Sequence, residues 1–240
     1  MDLKGNALTW LGHGTWLWET AEGGRILVDP WLQSNPRCPE HLRDPRPLDA
    51  ILMSHGHFDH VDDAVGIIRS SGATVVAIFD LNGWFVQQGC DEAKIIGINF
   101  GGTARVAGCE VTMVQAVHSA GLPNPDGGAF LYGGNPAGFI IRFPNDLVVY
   151  QAGDTDVFLD MGLIADLYRP TVAVLPVGDH FTMGPRQAAH AVGLLRGVET
   201  VICGHWGTMP ALHGTPAKVR EALGRDDVEI PDLEPGTRFA

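Results

Sequence analysis

Short apolar runs separated by glycine and proline dominate the first third of the chain. Residues 7–10, 15–19 and 25–29 predict three strands, and Gly12-His13-Gly14 and Glu22-Gly23-Gly24 between them predict a meander of hairpins. Pro30, Pro36, Pro39, Pro45 and Pro47 then exclude a central strand or helix and predict a long surface loop over 30–47. The next apolar run, Ala50-Ile51-Leu52-Met53 within 48–53, lacks polar alternation and is too short for a helix, so it predicts a buried strand. Ala64, Val65, Ile67 and Ile68 recur at helical spacing and predict a helix over 62–70. A strand at 74–79, a helix at 80–88, a strand at 94–98 and a hairpin of 103–107 with 109–117 follow. Beyond a second Gly/Pro-rich loop, 121–135, the pattern predicts strands at 138–143, 147–151, 171–176 and 199–203 and a short one near 228–230. Helices fit 185–195, with Pro185 in its favoured first position, and 215–223.

Hairpin strands come first and strands mixed with helices come after, and this order occurs twice in broad outline. Two mixed sheets packed on each other with helices outside accommodate it, an α+β architecture. The chain has no low-complexity segment or linker, and its candidate ligands run from position 55 to 205. One domain over 1–240 is therefore expected.

The densest chemistry is Ser54-His55-Gly56-His57-Phe58-Asp59-His60. His55, His57, Asp59 and His60 put four metal-binding groups into six positions at the end of a buried strand, where sheet enzymes commonly hold their ligands. Three later strand ends present groups of the same kind: His118, Asp154 in Gly153-Asp154-Thr155, and His205. Imidazole with carboxylate suits Zn, Mn or Fe better than Ca or Mg. His55 and His57 point the same way in extended backbone, while Asp59 and His60 sit at a helix start and point elsewhere. One ion does not easily collect all four, whereas a pair of ions about 3.5–4 Å apart does. Asp29, at a strand end before Pro30, is a candidate for holding the ligand loop from behind. His13 and His180 are candidates for the pocket, His180 as proton donor to a leaving group. Cys203 falls in a buried-strand pattern and is not counted as a ligand. His41, His190 and His213 have no matching context.

Composition narrows the partners. The 240 residues are 45% hydrophobic and 18% charged with a formal net charge of −12, and no Lys/Arg-rich run breaks that balance. Nucleic acid and acidic membranes are repelled on average, and a small-molecule substrate is expected. Arg37, Arg142 and Arg186 are candidates for binding a phosphate. Four cysteines without a Cys-x-x-Cys spacing, no signal-like start and no apolar run near the ~20 residues of a membrane span point to the cytoplasm. A homo-oligomer is left open.

The His-x-His-x-Asp-His motif with His118, Asp154 and His205 resembles the metallo-β-lactamase superfamily. The supporting segments are Trp10-Leu11-Gly12-His13-Gly14-Thr15, Ile26-Leu27-Val28-Asp29-Pro30 and Gly178-Asp179-His180-Phe181-Thr182-Met183. The likeness is to its uncharacterised metal-dependent hydrolases, related to ascorbate-6-phosphate lactonase and N-acylphosphatidylethanolamine phospholipase D, and it covers nearly the whole chain. It implies a four-layer αββα sandwich, and two divalent ions, Zn or Mn. It also implies one site of His55, His57 and His118, a second of Asp59, His60 and His205, and Asp154 bridging them. A metal-bridging hydroxide would then attack a small ester, lactone or phosphodiester, with Asp59 and His180 as the catalytic side chains. Asp154, where some β-lactamases have Cys, speaks against antibiotic hydrolysis. Two other readings compete: an iron-dependent oxidoreductase, disfavoured because His57 stands where flavodiiron proteins carry Glu, and a non-catalytic metal-binding scaffold, disfavoured by the full ligand set.

Overall fold

The computed structural model describes residues 2–240. Strands β1 (Ala7–Trp10), β2 (Trp16–Glu19), β3 (Arg25–Val28), β4 (Ala50–Met53), β5 (Thr74–Ile78) and β6 (Ile95–Ile98) lie side by side in one sheet, closed at the β1 edge by the C-terminal β13 (Arg238–Phe239). β1, β2 and β3 pair antiparallel, and β3 to β6 pair parallel. The second sheet holds β7 (Thr103–Val106), β8 (Cys109–Gln115), β9 (Ala137–Arg142), β10 (Val148–Gln151), β11 (Val172–Pro176) and β12 (Thr200–Gly204) in that spatial order. Its first four strands are antiparallel and its last three parallel.

Burial on both faces shapes these strands. In the second sheet Val149, Val172, Val174 and Ile202 enter the core shared with the first sheet. Their neighbours Val148, Tyr150, Ala173, Leu175, Val201 and Cys203 enter a separate core on the opposite face. That is the period-two alternation of a pleated strand with apolar residues at both phases. The opposite-face core is completed by α4 (Met161–Tyr168), α5 (Pro185–Leu194) and α6 (Pro216–Leu223), through Met161, Ile164, Ala188, Val192 and Val219. Helices α2 (Ala64–Ser71) and α3 (Phe79–Gln87) cover the first sheet with Ala64, Ile68, Leu81 and Phe85. Helix, sheet, sheet and helix make the four-layer sandwich expected from the sequence. Trp10, Trp16 and Trp18 are fully buried between the layers, and losing such a ring costs about 3–5 kcal/mol.

Several boundaries differ from the sequence expectation. The strand expected near 228–230 is a single bridge between Thr200 and Glu229. Helix α4 and strand β13 were not foreseen. The 30–47 segment is not a surface loop throughout: Trp31, Leu32, Asn35 and Cys38 are buried, and it contains a turn of 3-10 helix at Glu40–Leu42. Prolines there prevent regular pairing without preventing burial.

The direction of the strands decides where the chemistry collects. β1, β3 and β4 run the same way, as do β8, β10, β11 and β12. His13, Asp29, the 55–60 cluster, His118, Asp154 and His205 all follow the C-terminal ends of these strands.

Candidate metal centre

After β4 the chain continues extended through His57 (φ −64°, ψ 151°), which precedes a one-turn helix α1 (Phe58–Val61). That switch sends Asp59 away toward His13, as the spacing predicts, but the His60 ring stays beside His55, 4.1 Å between centroids, because Asp29 holds it there. Gly56 allows the fit beneath the 121–135 loop, because a Cβ there would lie 2.8 Å from Leu122 Cγ and 3.0 Å from the Ala120 carbonyl. Five non-glycine residues around the centre hold positive φ: His13 (56°), Asp29 (47°), Asp179 (71°), His180 (62°) and His205 (55°). Backbone in this region is costly for residues with a Cβ and persists where surrounding contacts impose it. Here they do: the His205 N–H donates to the His13 carbonyl at 3.0 Å, and Trp10 Nε1 donates to that same carbonyl at 2.9 Å.

The donors fall into groups. His55, His57 and His118 form one, with a ligand atom of each within 4.8 Å of the others. His57 Nδ1 lies 3.0 Å from His55 Nε2 and 3.2 Å from His118 Nε2. His13, Asp59, His60 and His205 form a second group by the same measure. Asp154 Oδ2 sits between the two, 2.9 Å from His205 Nε2, 3.3 Å from His60 Nε2, 3.7 Å from His118 Nε2 and 3.9 Å from His55 Nε2.

Behind the donors, Asp29 and Ser54 fix ring orientations. Asp29 Oδ1 accepts from the Ser54 N–H at 2.7 Å. Its Oδ2 accepts from Ser54 Oγ at 2.5 Å and faces His60 Nδ1 at 3.0 Å. A carboxylate only accepts, so His60 donates from Nδ1, which turns Nε2 toward Asp154 as the nitrogen a cation would take once its proton is displaced. Ser54 Oγ, having given its proton to Asp29, accepts from His55 Nδ1 at 2.9 Å, which leaves His55 Nε2 as a lone pair too. Ser119 Oγ lies 3.2 Å from His57 Nε2. His55 Nε2, as a lone pair, and His60 Nε2 thus point toward Asp154 and the remaining histidines. His60 Nε2 is buried without a hydrogen-bond partner. Crowded inward imidazole nitrogens beside two carboxylates are a donor set that a cation satisfies and a neutral core does not.

Electrostatics agree. Burial pushes His55 well below the ordinary imidazole range, with His60 adding to it, and burial also lowers His57 and His118. His13 falls to about 4, through burial first and His205 next. Burial alone would raise Asp59 and Asp154. The His13 hydrogen bond outweighs it at Asp59, His205 and His60 outweigh it at Asp154, and both carboxyls stay ionised. His60 moves upward, because Asp154 and Asp29 overcome its burial.

A cavity of about 430 Å³ opens onto this floor, lined by His57, Asp59, His118, Asp154 and His205 below and by Phe58, Phe130, Phe181 and Met209 around it. His180, exposed after β11, also lines it. A larger cavity of about 780 Å³ between Asp179, Arg186, His213 and Lys218 contains none of the donors.

The seven candidate ligands, His13, Asp29 and His180 are all at this edge. His13 is deeper than a pocket residue: it is fully buried, with Nε2 3.0 Å from Asp59 Oδ2. Asp29 is behind the ligands, as its position suggested. Arg37, Arg142 and Arg186 do not line the cavity over the donors: Arg37 pairs with Glu234 at 3.4 Å, Arg142 faces the Tyr168 carbonyl and Arg186 lines the larger cavity. Sequence reasoning missed Ser54, Ser119 and the phenylalanines. The serines adjoin histidines of the set, and that adjacency is the only signal they offered. Cys203 is buried in β12 away from the donors, its thiol pushed up to about 12 by burial.

Two mixed sheets with a His/Asp cluster at one shared edge define a metallo-β-lactamase fold. The family described as "Beta-lactamase superfamily domain" matches residues 24–206. The chain is 43% identical over 240 residues to a UPF0173 metal-dependent hydrolase of Koribacter versatilis, covering all of both chains. It is 45% identical over 237 residues to one of Rubrobacter xylanophilus, covering 98% of this chain and 96% of the relative. The chain therefore belongs to the UPF0173 metal-dependent hydrolase family of the beta-lactamase superfamily. Among solved structures, Igni18, a metallo hydrolase from the hyperthermophilic archaeon Ignicoccus hospitalis, is 32% identical with a TM-score of 0.83 over 98% of each chain.

Proposed function

We propose that this protein is a binuclear metal-dependent hydrolase of a small ester, thioester, lactone or phosphodiester. The observation that carries the reading is Asp154 Oδ2, within 2.9–3.9 Å of histidine nitrogens from both donor groups. His55, His57 and His118 would hold one cation, Asp59, His60 and His205 the other, and Asp154 both. Zn or Mn suits this imidazole and carboxylate set. Bound there, two cations supply water that ionises near pH 7 and a positive field for the developing oxyanion. The remaining work belongs to the chain. Asp29 and Ser54 keep His55 and His60 in the tautomers that face inward. His13 braces Asp59. His180, on the cavity wall, delivers a proton to the departing group. The aromatic wall limits water around the reacting bond.

The donors come from both sheets, which supports the whole of 1–240 acting as one domain. The described residues contain no helix long and apolar enough to cross a membrane. Four buried, unpaired cysteines are compatible with a reducing compartment such as the cytoplasm.

The test is metal analysis paired with a screen of lactones, thioesters and phosphodiesters on metal-reconstituted protein, with His55→Ala as control. Two equivalents of metal are expected, falling in Asp154→Ala with loss of turnover. Full activity after exhaustive chelation would refute the reading.

A further inference from the structure

The cavity above the donors also carries information about what enters it. It has a polar floor and a hydrophobic wall, and the wall comes from three separate places in the chain. Phe58 begins α1, Phe130 belongs to the 121–135 loop, and Phe181 follows His180. These rings are 49%, 72% and 53% exposed. Large apolar side chains left in water in this way forgo burial that a ligand can restore. Each is held in place. Phe58 meets Trp31 edge-on at 5.8 Å, and Phe181 meets the His180 ring edge-on at 4.5 Å. Phe130 adjoins Leu131, whose backbone pairs with Leu122, and the fully buried Leu122 is seated over Gly56. The wall is therefore attached to the segment that carries the metal-binding histidines.

The charges lining the cavity are equally informative. Among the described residues, Asp59 and Asp154 are the only carboxylates that line it, and no lysine or arginine does. A phosphorylated sugar would place its dianion against phenyl rings with no guanidinium or ammonium to receive it. A volume of about 430 Å³ falls in the size range of small-molecule sites.

We infer that the substrate is an uncharged acyl compound, an ester, thioester or lactone, bearing an apolar arm that lies between Phe58, Phe130 and Phe181 while its carbonyl faces the donors. This rests on the hydrolase reading above and narrows it, setting aside phosphodiesters and phosphorylated lactones. In the reaction one water is consumed. Its oxygen bonds to the acyl carbon, the bond from that carbon to the departing oxygen or sulfur breaks, and a proton passes to the departing atom, giving a carboxylic acid and an alcohol or thiol. No oxidant or further reactant is needed.

Two measurements on the metal-loaded, full-length protein test this. The first is kcat/KM for neutral γ-lactones with alkyl side chains of one to six carbons, beside a phosphorylated sugar lactone. Selectivity should rise by up to about fourfold per added methylene, with the phosphorylated compound the poorest. In Phe130→Ala and Phe181→Ala the ratio of longest to shortest lactone should collapse, and Phe181→Leu should restore part of it. The second measurement is calorimetric binding of acetate, butyrate, hexanoate and octanoate, which needs no turnover. The longer acids should bind more tightly in the wild type, and the gain should shrink in both alanine variants. A flat lactone series with turnover that still depends on His55, or preference for the phosphorylated lactone, overturns the inference and leaves the hydrolase standing. Octanoate binding no tighter than acetate also overturns it. Graded acid binding that depends on the phenylalanines, with no hydrolysis of any ester, thioester, lactone or phosphodiester, supports the pocket and sinks the hydrolase.

Discussion

Asp29→Asn isolates the support behind the ligands from the ligands themselves. Asp29 is 1% exposed and accepts from the Ser54 N–H, from Ser54 Oγ and from His60 Nδ1. Asparagine keeps the shape and tolerates the positive φ at this position better than most residues, so backbone strain does not confound the result. Its amide has one accepting oxygen, and its nitrogen can only donate. If the NH₂ turns toward the Ser54 N–H, two donors collide. If it takes the Oδ2 position, His60 must accept at Nδ1 and Ser54 Oγ must turn its own proton elsewhere, toward His55 Nδ1. Both rings then move their protons to Nε2, the nitrogens that face Asp154 at 3.3 and 3.9 Å. A lost hydrogen bond to a charged group is worth about 1.5–3 kcal/mol, which is tenfold to a hundredfold in affinity, the range typical for partners of metal-binding histidines. Zinc affinity measured by competition with a fluorescent chelator, beside a melting curve of the metal-free variant, decides it. A folded Asp29→Asn protein that binds zinc within about twofold of wild type would show that Asp29 does not set these tautomers.

Gly178→Ala forces a Cβ into the His205 carbonyl, so it should cost about 1–3 kcal/mol in a denaturant titration and weaken metal retention as His205 shifts. Tyr150→Phe should leave stability unchanged or raise it by about 1 kcal/mol, because the hydroxyl is fully buried without a protein partner and deleting an unsatisfied group removes its desolvation cost; a loss above that in chemical denaturation would contradict the assignment. Metal uptake must displace the proton that Asp154 and Asp29 hold on His60, so apparent affinity should already fall as pH drops through a value above the ordinary imidazole range, with proton release on titration in weak buffer, whereas His55, His57 and His118 are neutral there and add to the loss only at lower pH. Chelation of the metal-loaded protein should lower its melting temperature by mass action, reversibly on adding metal back.

The sandwich was legible because its strands are short, apolar and bounded by glycine and proline, and because each half pairs hairpins with parallel strands. Helix α4 was not, since Leu163 and Leu167 remain exposed and blur the helical stripe that Met161, Ile164 and Ala165 would otherwise mark. Strand β13 contributes two residues and is fixed by pairing with Leu8 and Thr9, far away in the chain. That these histidines and aspartates would cluster was readable from spacing and strand ends, for a geometric reason. A metal needs several donors at one point, and parallel strand ends are where separate segments meet. The supporting layer was harder to read. Ser54 and Ser119 acquire their roles only when a neighbouring ring turns toward them, and serine is common enough that adjacency carries little weight. The phenylalanine wall depends on three loops whose shapes follow from tertiary contact. Arginines were the reverse case: their chemistry suits phosphate, yet ion pairs and position hold them elsewhere.

These two kinds of legibility have one physical source. The donors belong to rigid strand ends because coordination tolerates little displacement, and the rest of the edge is built to keep them there. The His205 N–H and the Trp10 indole N–H both donate to the His13 carbonyl. The Thr155 hydroxyl accepts the Val117 N–H at 2.9 Å and the Asp156 N–H donates to the Val117 carbonyl at 3.0 Å, tying the loop of His118 to the loop of Asp154. The Met183 N–H in turn donates to the Thr155 carbonyl at 3.1 Å, which fixes the loop carrying His180 and Phe181. One chain of contacts thus sets both Asp154 and part of the hydrophobic wall. A change in loop sequence at Phe181 or Phe130 can alter what fits above the donors without moving Asp154, because the rings are side chains on a frame held by backbone bonds. On the proposed reading, that separation would let one set of donors serve different acyl groups.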